Sequence, residues 1–197
     1  MEQNWFTAGF VVFMVFVVAQ RLMETFGRRP TIQGNRCLRL SFPVLMTVHV
    51  GVFAGSVVEY FWMQRQVRYW ISAVGLVLYV VSVVLRNVAI RTLGHYFSLH
   101  IEIREQHKLI THGVYSWVRH PIYIAVIMEL VSVPLVANAW GALGGAVFVY
   151  VPLLMWRLVH EERAMIESFG EIYCAYQRNV GALLPRLSAF YRRRIEP

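Results

Sequence analysis

Apolar residues run almost without interruption over 5–24, 42–62 and 69–90, and again over 122–137 and 139–158, where two shorter stretches nearly meet at Asn138. A helix needs about 20 predominantly apolar residues to cross the hydrocarbon core of a bilayer. The pattern therefore predicts an all-α, polytopic membrane protein with about five transmembrane helices, the last two forming a hairpin with a very tight turn. Between the third and fourth runs lies one long internal connector, 91–121, which is polar and punctuated by Gly94, Gly113 and Pro121. The first run starts without a basic leader and lacks a small-residue cleavage pattern, so it reads as a retained helix.

Composition changes this picture only by sharpening it. Apolar residues make up 57% of the 197 positions and charged residues 15%, against about 25% charged in an ordinary soluble domain. Five spans use half of such a chain, which leaves no room for a separate soluble domain; 1–197 is expected to be one unit, with three spans in 1–90 and the hairpin and tail in 91–197. The 19 basic residues, all Arg except Lys108, outnumber 11 acids that are all Glu. An arginine excess of this kind is a topology signal and not a nucleic-acid footprint. Arg28, Arg29, Arg36 and Arg39 follow the first span and seven Arg lie from Arg157 onward, whereas 63–68 holds only Arg65 and Arg68. By the positive-inside rule the N-terminus is expected outside, and the C-terminus and the 91–121 connector in the cytoplasm. Trp5, Trp62, Trp70 and Trp140 fall near predicted span ends, where indole rings anchor at the interface. Cys37 and Cys174 are too few for a disulfide framework or a zinc site, and no metal is expected.

Polar chemistry concentrates in two segments, 107–123 leading into the fourth span and 157–176 following the fifth. Pro121 suits the first turn of a helix because it lacks an N–H that would go unpaired there. That places Arg119 and His120 at the entrance of the fourth span, with Tyr115 and Tyr123 as either pocket or interface aromatics. In the second segment Arg157 and Glu161 are four apart and can meet on one helix face, while Glu162 points about 100° away. One glutamate can then be neutralised and the other left free. Within the spans, Glu129 lies about two turns into the fourth helix and shares a face with Ala125. A carboxylate at that depth is either functional or packed against a partner such as Arg86. Arg21 and Arg86 end their spans, where snorkelling is expected to account for them. His49 and Glu59 have no evident role.

The order and spacing of these pieces resemble the signature of the isoprenylcysteine carboxyl methyltransferase family and its phospholipid methyltransferase relatives. Thr111-x-Gly113-x-Tyr115 precedes Arg119-His120-Pro121-x-Tyr123, and Arg157 lies four residues before Glu161-Glu162, followed by Phe169-Gly170-x-x-Tyr173. The likeness covers about 90 residues, Leu93 to Pro185, and departs at Ala125, where many members have glycine. It implies an S-adenosylmethionine-dependent methyltransferase whose cofactor pocket is built by the last two spans, the 91–121 connector and the tail. Tyr115, His120, Pro121, Tyr123, Glu161 and Glu162 would hold the cofactor. Arg119 would hold the acceptor's anionic oxygen, with Arg157 as second catalytic candidate, and Ala125 and Glu129 would line the path of a lipophilic substrate entering from the bilayer. Candidate acceptors are the carboxylate of a prenylated cysteine and the hydroxyl of a long-chain polyketide pyrone. The chain has no Gly-rich strand-to-helix loop of the soluble dinucleotide-binding type. Two rivals stand beside this reading: a membrane NADPH-dependent sterol-type reductase, which shares an Arg-His-Pro-x-Tyr segment, and a non-enzymatic scaffold or lipid-binding protein.

Overall fold

In a computed structural model, residues 2–26, 35–37, 41–63, 66–94, 101–103 and 109–186 are described. The helices are α1 (Glu2–Phe26), α2 (Ser41–Met63), α3 (Tyr69–Leu93), α4 (Pro121–Ala137), α5 (Trp140–Gly145), α6 (Val151–Phe169) and α7 (Glu171–Asn179). A π turn over Ala146–Tyr150 joins α5 to α6, so that Trp140–Phe169 is one continuous rod. Four helices are long and apolar enough to cross a membrane: α1, α2, α3 and this rod. The shorter α4 is the fifth member of the bundle. The expected five-helix architecture therefore stands. The rod outlasts its apolar run by eleven residues, from 158 to Phe169. Hydropathy marks where the bilayer ends, whereas helix continues through the amphipathic segment beyond it.

A small departure from pure α lies in the connectors. Strand β1 (Asn35–Cys37) pairs antiparallel with β2 (Ile101–Ile103), Arg36 opposite Glu102. Two connectors separated by a helix pair are thereby joined at one end of the bundle. Arg28, Arg29, Arg39, Arg65, Lys108 and the tail arginines beyond Arg186 lie outside the described residues.

The tightest packing is between α3 and α4, and it follows from small side chains. Ser72, Gly75, Ser82 and Ala89 on α3, with Ala125 and Ser132 on α4, are all buried. Small residues let two backbones approach where apolar burial drives nothing, because lipid tails are as apolar as leucine. A Cβ on Gly75 would stand 2.8 Å from both Ser132 O and Val136 N. Gly75→Val is thus expected to lower the unfolding midpoint in detergent, since overpacking costs roughly 1–3 kcal/mol. Gly51→Val, with nothing within 4 Å of the new Cβ, should leave it unchanged; equal effects would place the α3–α4 contact elsewhere.

The hairpin turn is as tight as expected. Asn138 closes α4 in the left-handed conformation at φ 54. Its side chain donates to Ser72 Oγ at 2.8 Å and accepts from Arg68 N at 3.0 Å. Glu59 of α2 then caps the start of α5, its carboxylate accepting from the N–H groups of Gly141 at 3.2 Å and Ala142 at 3.0 Å. Trp5, Trp62, Trp70 and Trp140 are all exposed at this same end of the bundle, as interfacial anchors would be.

Arg21 and Arg86 do not snorkel. Both turn inward and close on Glu129, Arg21 Nε at 2.5 Å from Oε1 and both guanidinium groups touching Oε2. Glu24 completes the cluster through Arg86 at 3.0 Å and Arg21 at 3.4 Å. The reason is that Glu129 is 0% exposed, and a carboxylate in that setting binds a cation more strongly than lipid phosphate can compete for it. Gln20, accepting from Tyr79 and donating to Glu24, ties α1 to α3 beside it.

Candidate active site at the mouth of the bundle

At the end opposite the tryptophans, the N-terminus of α4 and the C-terminal part of α6 converge. Pro121 is the first residue of α4, as its missing N–H predicts, and His120 is the N-cap. The connector ahead of it is fixed by the tail. Val118 forms a parallel bridge with Gly181, and the N–H groups of Arg119 and His120 donate to Gly181 O at 2.9 Å and Ala182 O at 3.0 Å. Only glycine fits there, since a Cβ on Gly181 would lie 1.9 Å from Leu184 O.

Side chains complete the strap. Arg119 places Nε 2.8 Å and Nη2 2.7 Å from Glu162 Oε1, while Nη1 donates to Gln177 O at 3.3 Å and to Val180 O. His120 Nε2 donates to the same Glu162 oxygen at 3.0 Å, Gln177 Nε2 reaches the other at 3.1 Å, and Tyr173 Oη lies 3.5 Å away. Tyr176 donates to Tyr115 O at 2.5 Å, and Tyr115 to Ala89 O of α3 at 3.5 Å. Burial, with Glu161 and Glu162 nearby, raises the pKa of Tyr115 and Tyr173, and burial that of Tyr176 as well. All three phenols therefore stay protonated and act as donors.

The two glutamates have exchanged the parts their spacing suggests. Glu162, expected to be free, is the one held by Arg119 and His120; Glu161 is about a third exposed and accepts from Tyr123 Oη. The same Tyr123 oxygen accepts from Arg157 Nε at 3.2 Å, and Arg157 Nη1 lies 3.4 Å from Ser41 Oγ of α2. The i, i+4 spacing allows Arg157 to meet Glu161, but Tyr123 from the neighbouring helix stands between them and relays the contact. A strong cation for Glu162 arrives instead from Arg119, far away in sequence, which helix periodicity alone does not reveal.

Arg119, His120, Tyr123, Arg157, Glu161 and Glu162 are thus brought to one mouth, with Tyr115 tied to it through Tyr176. Pro121 is buried in the first turn of α4 and Ala125 is buried one turn below. Glu129 is set apart in its own arginine cluster. Ser41, Gln177 and Gly181 complete the mouth without any sequence motif having pointed to them; a short polar residue at a span start and a glycine in a tail carry no distinctive pattern.

Comparisons with known proteins give the chain's relatives in sequence and fold. Residues 73–167 match the model of the isoprenylcysteine carboxyl methyltransferase family. Protein-S-isoprenylcysteine O-methyltransferase B of Arabidopsis thaliana is 34% identical over 66% of this chain and 70% of its own length. Protein-S-isoprenylcysteine O-methyltransferase of Tribolium castaneum is 29% identical over 66% of this chain, which spans 47% of that relative. A solved structure of the eukaryotic intramembrane Ras methyltransferase ICMT is similar with a TM-score of 0.62 and 28% identity, covering 73% of this chain and 52% of that one. The chain thus spans about half the length of some relatives and more of others. On this footing of motif, fold and sequence likeness, the chain belongs to the isoprenylcysteine carboxyl methyltransferase family.

Proposed function

We propose that this membrane protein transfers a methyl group from S-adenosylmethionine to an oxygen of a lipophilic acceptor, and that the mouth of the bundle is where it does so. The observation that carries the reading is the convergence of 119–123 and 157–162 on one polar mouth, with Tyr123, Leu154 and Leu158 part of the apolar core. The named activity of the relatives makes the carboxylate of a prenylated cysteine the first acceptor to test, and a long-chain polyketide hydroxyl the second.

The residues present fit the cofactor's chemistry. A carboxylate that is partly exposed, as Glu161 is, accepting from the Tyr123 hydroxyl and with His120 Nδ1 4.0 Å away, can engage a sulfonium or ammonium cation or a ribose hydroxyl. S-adenosylmethionine, when bound, would supply an electrophilic sulfonium methyl, its sulfur leaving as a neutral thioether; a carboxylate acceptor would give a methyl ester, and a hydroxyl would give a methyl ether and release its proton. Arg157, poised beside Tyr123 and Ser41, is the cation best placed to orient an anionic acceptor. An ionised carboxylate needs no general base, so what the chain must provide is alignment and a dry site; alignment can be worth ~7–11 kcal/mol. Arg119 and His120 serve here as positioning residues, holding Glu162 and the tail so that α4 and α6 keep their register.

Glu161→Gln is expected to weaken adenosylmethionine binding about ten-fold or more, because a hydrogen bond to a charged group contributes roughly 1.5–3 kcal/mol. Calorimetric titration of a folded variant with unaltered affinity would make Glu161 an ordinary solvated helix end. For orientation, the mouth is taken as cytoplasmic and the tryptophan end as external. Reporter fusions at Val67 and Pro197 should then report opposite compartments, Pro197 the cytoplasm; a shared compartment would overturn the five-span arrangement.

A further inference from the structure

At the tryptophan end, where the α2–α3 connector meets the α4–α5 turn, Gln66, Val67, Arg68, Asn138 and Trp140 line a cleft of about 480 Å³. Small-molecule sites typically measure roughly 300–1,000 Å³. Asn138 is buried and fixes the lining, accepting from Arg68 N at 3.0 Å and donating to Ser72 Oγ at 2.8 Å. Its amide is therefore used within the protein. The guanidinium of Arg68, the amide of Gln66 and the indole N–H of Trp140 are not: these three exposed side chains make no hydrogen bond or ion pair among the described residues.

The charge of the cleft sets the sign of its ligand. Arg68 is the charged residue of the lining and the N-cap of α3, which starts with no side-chain cap and no acid in its first turn. The positive end of that helix therefore adds to the guanidinium's charge. The nearby carboxylate of Glu59 is engaged by the N–H groups of Gly141 and Ala142. One full positive charge with further N–H donors calls for a monoanion carrying several acceptor oxygens, and a guanidinium meets a phosphate bidentately. The Gln66 amide both donates and accepts, which suits hydroxyl groups beside that phosphate. Position names the source. Tryptophans mark the level of lipid headgroups, and α3 leaves the cleft with Trp70, Val74, Val77 and Val81 exposed. These lie at i, i+4, i+7 and i+11, one apolar face roughly 16 Å long for acyl chains.

We propose that this cleft seats a phospholipid of net charge −1, with its phosphodiester on Arg68, a hydroxylated head against Gln66 and Trp140, and its acyl chains along α3. The site lies at the end opposite the methyl-transfer mouth and does not depend on that activity. Native mass spectrometry of the full chain released from detergent micelles, titrated with dioleoylphosphatidylglycerol, should show one lipid retained per chain at saturation. Arg68→Gln should weaken that binding about ten-fold or more, the scale of a lost charge-assisted hydrogen bond, and Arg68→Lys, which keeps the charge without the planar fork, should fall between. Arg68 holds Asn138 through its backbone N–H, so the turn survives either change and the unfolding midpoint should not move. Arg178→Gln, which removes an exposed arginine on α7, should leave binding unaltered. Dioleoylphosphatidylcholine, which brings a second cation beside Arg68, should bind more weakly, as should glycerophosphoglycerol, the same head without chains. Retention that never saturates, wild-type affinity in Arg68→Gln, an equal loss in Arg178→Gln or equal affinity for phosphatidylcholine would each overturn the proposal. Glycerophosphoglycerol bound as tightly as the lipid would overturn it too, and make the cleft a site for a soluble phosphodiester.

Discussion

Glu129→Ala is expected to destabilise the protein by roughly 3–5 kcal/mol, the cost of removing one partner from a buried ion pair. The reason lies in charge balance more than in lost contacts. Arg21 and Arg86 share Glu129 and Glu24 two for two. With Glu129 gone, Arg86, 2% exposed, keeps only Glu24, which it must share with Arg21. Thermal unfolding in detergent should show a large fall for Glu129→Ala. The double variant Glu129→Leu with Arg86→Met, which restores one cation to one anion and refills the space, should recover most of the loss. A single variant as stable as wild type would show that the cluster carries no net burden. Failure of the double variant to recover would show that geometry, not charge, is what the cluster supplies.

Arg119→Ala carries the second large effect. Its guanidinium holds Glu162 through two nitrogens and two tail carbonyls through a third, so its loss unpairs a half-buried carboxylate and releases the 177–182 strap together. A cost of about 3 kcal/mol at the site corresponds to roughly a hundred-fold in rate. Methyl transfer should fall by that order, and trypsin should cut faster at Arg178 and Arg186. Lysine cannot reproduce the planar fork, so Arg119→Lys should fall between. This outcome separates the two readings of the residue. If Arg119 instead grips the acceptor directly, as its motif position suggests, the acceptor's KM rises while tail proteolysis is unaltered.

Much of this was legible in the sequence, and the reasons are particular. Apolar run lengths located the five helices, Pro121 its own helix start, and Asn138 the hairpin turn. Each of these is a local rule, depending on residues within a turn or two. The convergence of the two polar segments was legible only through their likeness to a family. Pairings set by tertiary approach were not: the local i, i+4 rule pairs Glu161 with Arg157 and leaves Glu162 free, whereas the actual partners come from Arg119 on one side and Tyr123 on the other. Nor does sequence show that Arg21, which sits at a span end like any snorkelling arginine, reaches across to Glu129 on α4. The π turn at Ala146–Tyr150, which sets the rotation of α5 relative to α6, likewise has no evident sequence signature.

The central claim is that the mouth formed by α4, α6 and the tail strap takes S-adenosylmethionine, and equilibrium binding to the purified full chain tests it most directly. Titration with adenosylmethionine and, separately, with NADPH should give saturable binding of the first, one molecule per chain and weakened by Glu161→Gln, with no competition from the second. Saturable binding of NADPH with none of adenosylmethionine would contradict the account and point to a reductase on the same scaffold.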